Sequence, residues 1–155
     1  DRADLIIGSP GPVPLQKGYR AIPLADTELV PVIASSHEYA RLAQTPDVLT
    51  KLLPTIRRVV THDTSTTDIT RSAGLSNDGK VFYVQNIELK LEAIRAGIGI
   101  GHLPYHRIQT LLDCGELVIL ALPGDARAEN FLSWKISNKG RGLQALTRQI
   151  TAALA

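Results

Sequence analysis

The run from Asn86 to Gly115, NIELKLEAIRAGIGIGHLPYHRIQTLLDCG, admits few folds. Asn86 is a good helix N-cap, because its side-chain oxygen can accept from the free N–H groups of a first turn. Ile87, Leu91 and Ile94 then repeat at 0, 4 and 7 and make one apolar helical face. Gly97 follows the last periodic residue and suits the left-handed position that ends a helix. Ile98, Ile100 and Leu103 form a short apolar strand stopped by Pro104, which can also be the first residue of a second helix. In that helix Tyr105, Ile108 and Leu112 share a face until Gly115. Helix, glycine-punctuated strand, proline and helix form a small α/β unit.

The glycines at 97, 99 and 101 do not make a dinucleotide site. A phosphate-binding fingerprint follows a strand and opens a helix, so that the pyrophosphate meets the helix N-terminus. Here the helix comes first and a strand carries the glycines. Their expected role is to let backbones approach closely.

The flanking chain repeats the same alternation. Leu5 to Ile7 reads as a buried strand, broken by the loop Ser9-Pro10-Gly11-Pro12. Extended segments follow at 19–24 and 28–34, with Pro23 and Pro31 marking edge or crossing positions. Ser35 or Ser36 is expected to cap a short helix through Gln44. Thr45-Pro46-Asp47 starts another, with a capping hydroxyl, proline at the first position and Val48, Leu49, Leu52 and Leu53 inward. Arg57 and Arg58 precede the strand Val59–Thr61 and read as its solvated entry. In the polar stretch 62–70, Ser65 with Asp68 resembles a capping box. Strands are expected at 80–85, 117–122 and 131–137. A last amphipathic helix carries Leu143, Leu146, Ile150 and Leu154. Strands alternating with helices predict an α/β domain with a largely parallel sheet.

Size and composition exclude some classes. The 155 residues suffice for one domain or two small lobes. A net charge of +2 gives no basic footprint for nucleic acid. One cysteine, Cys114, excludes an intrachain disulfide and fits a reducing, cytoplasmic compartment. No run of about 18 apolar residues is present, so no membrane partner is expected.

The run AIRAGIGIGHLP, a following helix and CGELVIL resemble the effector-binding domain of LysR-type transcriptional regulators. ADLIIG, LVPVIASSH and the C-terminal amphipathic helix fit the same order, so the resemblance covers nearly the whole chain. It implies a two-lobed fold like that of type 2 periplasmic binding proteins. Residues 1–31 and 137–155 would be a partial first lobe, and residues 32–136 a complete second lobe, with strands crossing near Pro31. It also implies truncation at the N-terminal side, with a winged helix-turn-helix and the first part of the effector domain upstream. DNA contact would run only through that absent element. The expected partners are a small-molecule effector, with an anionic metabolite favoured, and further copies of the chain as a homodimer or higher oligomer. The alternative is a small-solute-binding protein or enzyme domain of the same α/β fold.

Catalysis and metal binding find little support in the residues. His62, Asp63 and Ser65 are hydrolase residue types, but a triad converges in space, and no Gly-x-Ser-x-Gly elbow is present. His102 and His106 are four apart with Pro104 between them, so they do not share one regular helix face. Cys114, between Asp113 and Glu116 at a helix end, lacks the electropositive setting of a sensing thiol. No catalytic residue, metal site or cofactor is therefore expected.

Ligand binding is better supported. In open α/β sheets ligands lie beyond the carboxyl ends of strands, beside helix N-termini. Thr61, His62, Asp63, Thr64 and Ser65 form such a junction, able to hold a carboxylate or simply to cap a helix. In the arrangement the resemblance implies, Gly8 and Ser9 would face the same cleft, and Gly99, Ile100, Gly101 and His102 would border it.

Overall fold

A computed structural model of the chain describes residues 3–8, 18–62, 80–123 and 126–154. Its contacts divide into two compact units, Asp1–Thr27 with Arg127–Ala155, and Glu28–Ala126. These divisions fall before the expected 31/32 and 136/137. The segments expected at 19–24 and 28–34 are one strand, β2 (Tyr19–Ala34), which contributes its first half to one unit and its second half to the other.

In the first unit, β1 (Ile6–Gly8) runs antiparallel to β7 (Ala126–Lys135), with Ile6 opposite Ser133 and Gly8 opposite Phe131. On its other side β7 lies beside β2. The Asn130 side chain donates to Ala25 O at 2.9 Å and to Thr27 Oγ1 at 2.8 Å. Helix α4 (Arg141–Leu154) closes this unit, and its Thr147 hydroxyl turns back on Leu143 O at 2.7 Å, which satisfies it where it is buried.

The second unit has a mixed sheet. Strands β3 (Arg58–Thr61) and β4 (Val81–Val84) pair in parallel. The lead-in to β5 (Gly101–Pro104) joins β3 by a further parallel bridge, with Val59 N donating to Ile100 O at 2.8 Å and Ile100 N to Arg57 O at 2.9 Å. Strand β2 runs antiparallel both to β5 and to β6 (Leu117–Ile119). The expected largely parallel sheet is thus corrected, because β2 lies against the direction of its neighbours. Helices α2 (Ile87–Arg95) and α3 (Tyr105–Asp113) contribute Ala93, Ile94 and Ile108 to a cluster with Val32, Val59, Val84, Leu103 and Leu117. A second cluster packs α1 (Pro46–Leu52) through Leu49 against Ile33, Ala43, Ile56, Ile100 and Leu120.

Several local expectations hold. The Asn86 side chain accepts from Leu89 N at 2.8 Å, and Gly97 adopts φ +75° just beyond α2. Others need correction. The expected helix 35–44 reduces to a 3-10 turn at Ala40–Leu42, because Ser35 N is taken by Glu116 O, and His37 N and Ala40 N make tight turn bonds to Ala34 O and His37 O. Thr45 precedes α1 without a side-chain capping bond, and only its carbonyl receives Val48 N and Leu49 N. Pro104 is the last residue of β5 and the cap of α3, whose first residue is Tyr105. Arg58, expected to be solvated, is 3% exposed.

Candidate functional site

The parallel strands of the second unit end together at Thr61, Val84 and Pro104. Helix α2 opens at the same end, since it follows β4 through the cap Asn86. This places a helix N-terminus beside strand carboxyl ends, the arrangement in which open α/β sheets receive ligands. Thr61 closes β3 opposite Val84, and the next residue, His62, donates its backbone N–H to Val84 O at 3.0 Å. The exposed His62 ring stacks on Tyr83 with centroids 4.6 Å apart and planes at 19°. That contact fixes the imidazole at the rim of the junction.

The glycine strand approaches from the β5 side. A Cβ on Gly99 would overlap the Arg57 carbonyl oxygen, so this glycine permits the parallel joint that Ile100 makes with β3. Ile100 itself is fully buried. A Cβ on Gly101 would lie 2.9 Å from both Val59 O and Lys90 Cε. Both glycines therefore serve close approach, as their spacing implies. His102 pairs with Pro31 of β2, and the Arg58↔Ile100 bridge sets its strand next to β3. It is 7% exposed, and its Nδ1 is buried with no hydrogen-bond partner among the described residues. Burial, reinforced by the charge of Lys90, pushes the imidazole down to about 4. His102 is neutral at physiological pH.

The structure thus brings Thr61, His62, Gly99, Ile100, Gly101 and His102 onto adjacent strands of one unit. Gly8 ends β1 in the other unit. Ser9, Asp63, Thr64 and Ser65, with the proposed Ser65–Asp68 capping box, lie outside the described residues. Sequence reasoning missed Lys90. This lysine is 7% exposed, and burial lowers its ammonium to about 8. A signal was present: Lys90 stands three residues after Ile87 and four before Ile94, on the face of α2 that turns inward.

The remaining candidate chemistry stays apart. His106 sits in α3 and His102 on β5, so the two histidines do not share a helix. Cys114 is exposed and its thiol points at Leu111 O, 3.5 Å away. Among the described residues no three His, Cys, Asp or Glu side chains gather as a metal site, and no helix is long and apolar enough to cross a membrane. A groove of about 360 Å³ in the first unit, between Trp134, Asn138 and the Leu143–Arg148 face of α4, is open and holds only Arg148 as a charged group.

The chain matches the family model described as the LysR substrate binding domain over residues 1–155. It is 29% identical over 117 residues to the uncharacterized HTH-type transcriptional regulator YeeY of Escherichia coli K12, a match covering 76% of this chain and 37% of YeeY. It is 27% identical over 149 residues to the HTH-type transcriptional activator AllS of Salmonella typhimurium LT2, covering 95% of this chain and 47% of AllS. The chain spans about half the length of such relatives, or less. Among solved structures, full-length LysG from Corynebacterium glutamicum with bound effector Arg superposes with a TM-score of 0.65 at 19% identity, covering 97% of this chain and 50% of LysG. That likeness is one of fold.

Proposed function

Because this chain belongs to the LysR substrate binding domain family, we propose that it recognises a small anionic metabolite at the strand-end junction of its Glu28–Ala126 unit. The domain is a regulatory, effector-binding one and not an enzyme. The observation that carries the ligand class is the meeting of Thr61 and His62 with the opening of α2 at the carboxyl ends of parallel strands. Backbone N–H groups of a helix start favour a carboxylate there. LysG is a neighbour of this fold with an effector bound, and that effector, Arg, carries a carboxylate beside its cationic groups.

In this reading the Glu28–Ala126 unit corresponds to the second lobe of the family, and residues 1–27 with 127–155 to part of the first. Effector binding biases a two-state arrangement, which a helix-turn-helix outside these residues converts into DNA occupancy. Copies of the chain pair through the first unit, where Ile6, Ile7, Ile136 and Leu146 are each about half exposed.

A titration of the chain with sodium succinate, followed by amide chemical shifts, tests the junction. Shifts should concentrate at Thr61, His62, Gly101 and His102, and Thr61→Val should weaken them while leaving the strand intact. Shifts clustered in the first unit, or an unaltered titration in Thr61→Val, would refute the assignment.

A further inference from the structure

We propose that Lys90 pairs with an anionic group of the effector and is the residue that selects acidic small molecules at this junction. The inference rests on the junction being the ligand site, and four observations carry it.

First, Lys90 as a residue is 7% exposed, yet its side chain makes no hydrogen bond or ion pair with a described residue. A buried ammonium without a counter-ion is costly, and ordinary helix faces avoid it. Second, the acids of its own helix are engaged elsewhere. Glu88 binds Arg107 at 2.8 Å, and Glu92 binds Arg95 at 2.9 Å, with Glu116 on the same guanidinium at 2.9 Å. No internal carboxylate of α2 is left to neutralise Lys90.

Third, the backbone makes room for the side chain. Lys90 Cε passes 2.9 Å from the place a Gly101 Cβ would take, so an alanine at 101 would displace it. Helical side chains lean toward the helix N-terminus, which here is the strand-end side. The Lys90 stem thus lies over Gly101 and Val59, on the strands that lead to Thr61 and His62. Fourth, His102 holds a buried Nδ1 with no described partner, and the Lys90 charge is close enough to disfavour its protonation. A bound carboxylate would neutralise the ammonium from the α2 face of β5, toward which Gly101 opens.

The test uses the whole chain with succinate and its neutral analogue succinamide at constant ionic strength. The Lys90 Cε–Hε resonance and the Thr61 and His62 amides are followed in the parent and in Lys90→Met. Methionine keeps the length and apolar character of the stem, so that variant is expected to fold, and the parent's own Lys90 signal needs no variant at all. Succinate should move the Lys90 resonance together with the junction amides, bind at least tenfold more weakly to Lys90→Met, and outcompete succinamide.

If the junction amides shift while the Lys90 signal stays still and Lys90→Met binds as the parent does, the role of Lys90 is overturned and the junction stands. Equal binding of succinamide and succinate likewise overturns charge pairing alone. If neither the amides nor Lys90 respond, the junction and the pairing both fall.

Discussion

The lysine and the two interior glycines state the residue-scale demands of this fold. Gly99 has no free volume, because a Cβ would run into the carbonyl that also accepts from Ile100 N. Gly97 has open space around it and is constrained only by its positive φ. Gly99→Ala should therefore cost about 3 kcal/mol, as an overpacked and broken joint. Gly97→Ala should cost about 1 kcal/mol, for the left-handed backbone alone. Urea midpoints of the two variants check the order, and a costlier Gly97→Ala would contradict it. Lys90→Met should move stability the other way. Replacing an ammonium that is largely withdrawn from water and has no partner among the described residues by an apolar stem of similar length is expected to gain about 1–3 kcal/mol at pH 7, read as a higher Tm. A residue kept at such a cost is of the kind retained for binding.

At the scale of elements, α2 is the best-specified helix of the second unit. Its start is held by the Asn86 side chain on Leu89 N, and its end by Ala96 N on Glu92 O followed by left-handed Gly97. Asn86→Ala should lose about 1 kcal/mol, measurable as a lower denaturant midpoint. The exposed Arg95–Glu92 and Arg107–Glu88 pairs should matter less, at about 0.2–1 kcal/mol each, because water and salt screen them. The contrast with α1 is instructive. Thr45 makes no side-chain cap, so Thr45→Ala should leave stability nearly unchanged, although Thr-Pro-Asp reads as a capped helix start. A loss above 1 kcal/mol would show that its hydroxyl caps in solution.

For the whole molecule, the two buried bases set the dependence of stability on pH. His102 titrates near 6.5 when unfolded and is pushed down to about 4 when folded. Between those values the unfolded chain holds the extra proton, so stability is complete above about 6.5 and falls as the pH drops toward 4. The loss should reach on the order of 3 kcal/mol at the acid end. Lys90, pushed from 10.5 down to about 8, adds a second window in which stability rises from pH 8 toward 10.5. Thermal melts across pH should show both slopes, and Lys90→Met should remove the alkaline one and weaken the acid one, because the Lys90 charge reinforces the His102 shift. Self-association belongs to this scale too. The half-exposed Ile6, Ile7 and Ile136 favour pairing, and a strictly monomeric species at high micromolar concentration in sedimentation would argue against it.

The sequence by itself determined what depends on near neighbours. The cap at Asn86, the apolar stripe of α2, the turn at Gly97 and the close-approach glycines at 99 and 101 follow from covalent spacing within a turn or a strand. The order of such pieces was also enough to identify the family. Tertiary structure decided whatever depends on distant partners. The direction of β2 was invisible, because side-chain alternation is the same in a strand of either polarity. The helix written at 35–44 was lost because Ser35 N is taken by Glu116 O, eighty-one positions away. The burial of Arg58 and Lys90 was hidden for the same reason. A long basic side chain looks solvated by type, and only the elements folded over it decide whether water reaches its charge. The candidate site divides along that line: its strand-end junction at Thr61 and the position of Lys90 on the inward face of α2 could be read from local pattern, but the burial of that lysine could not.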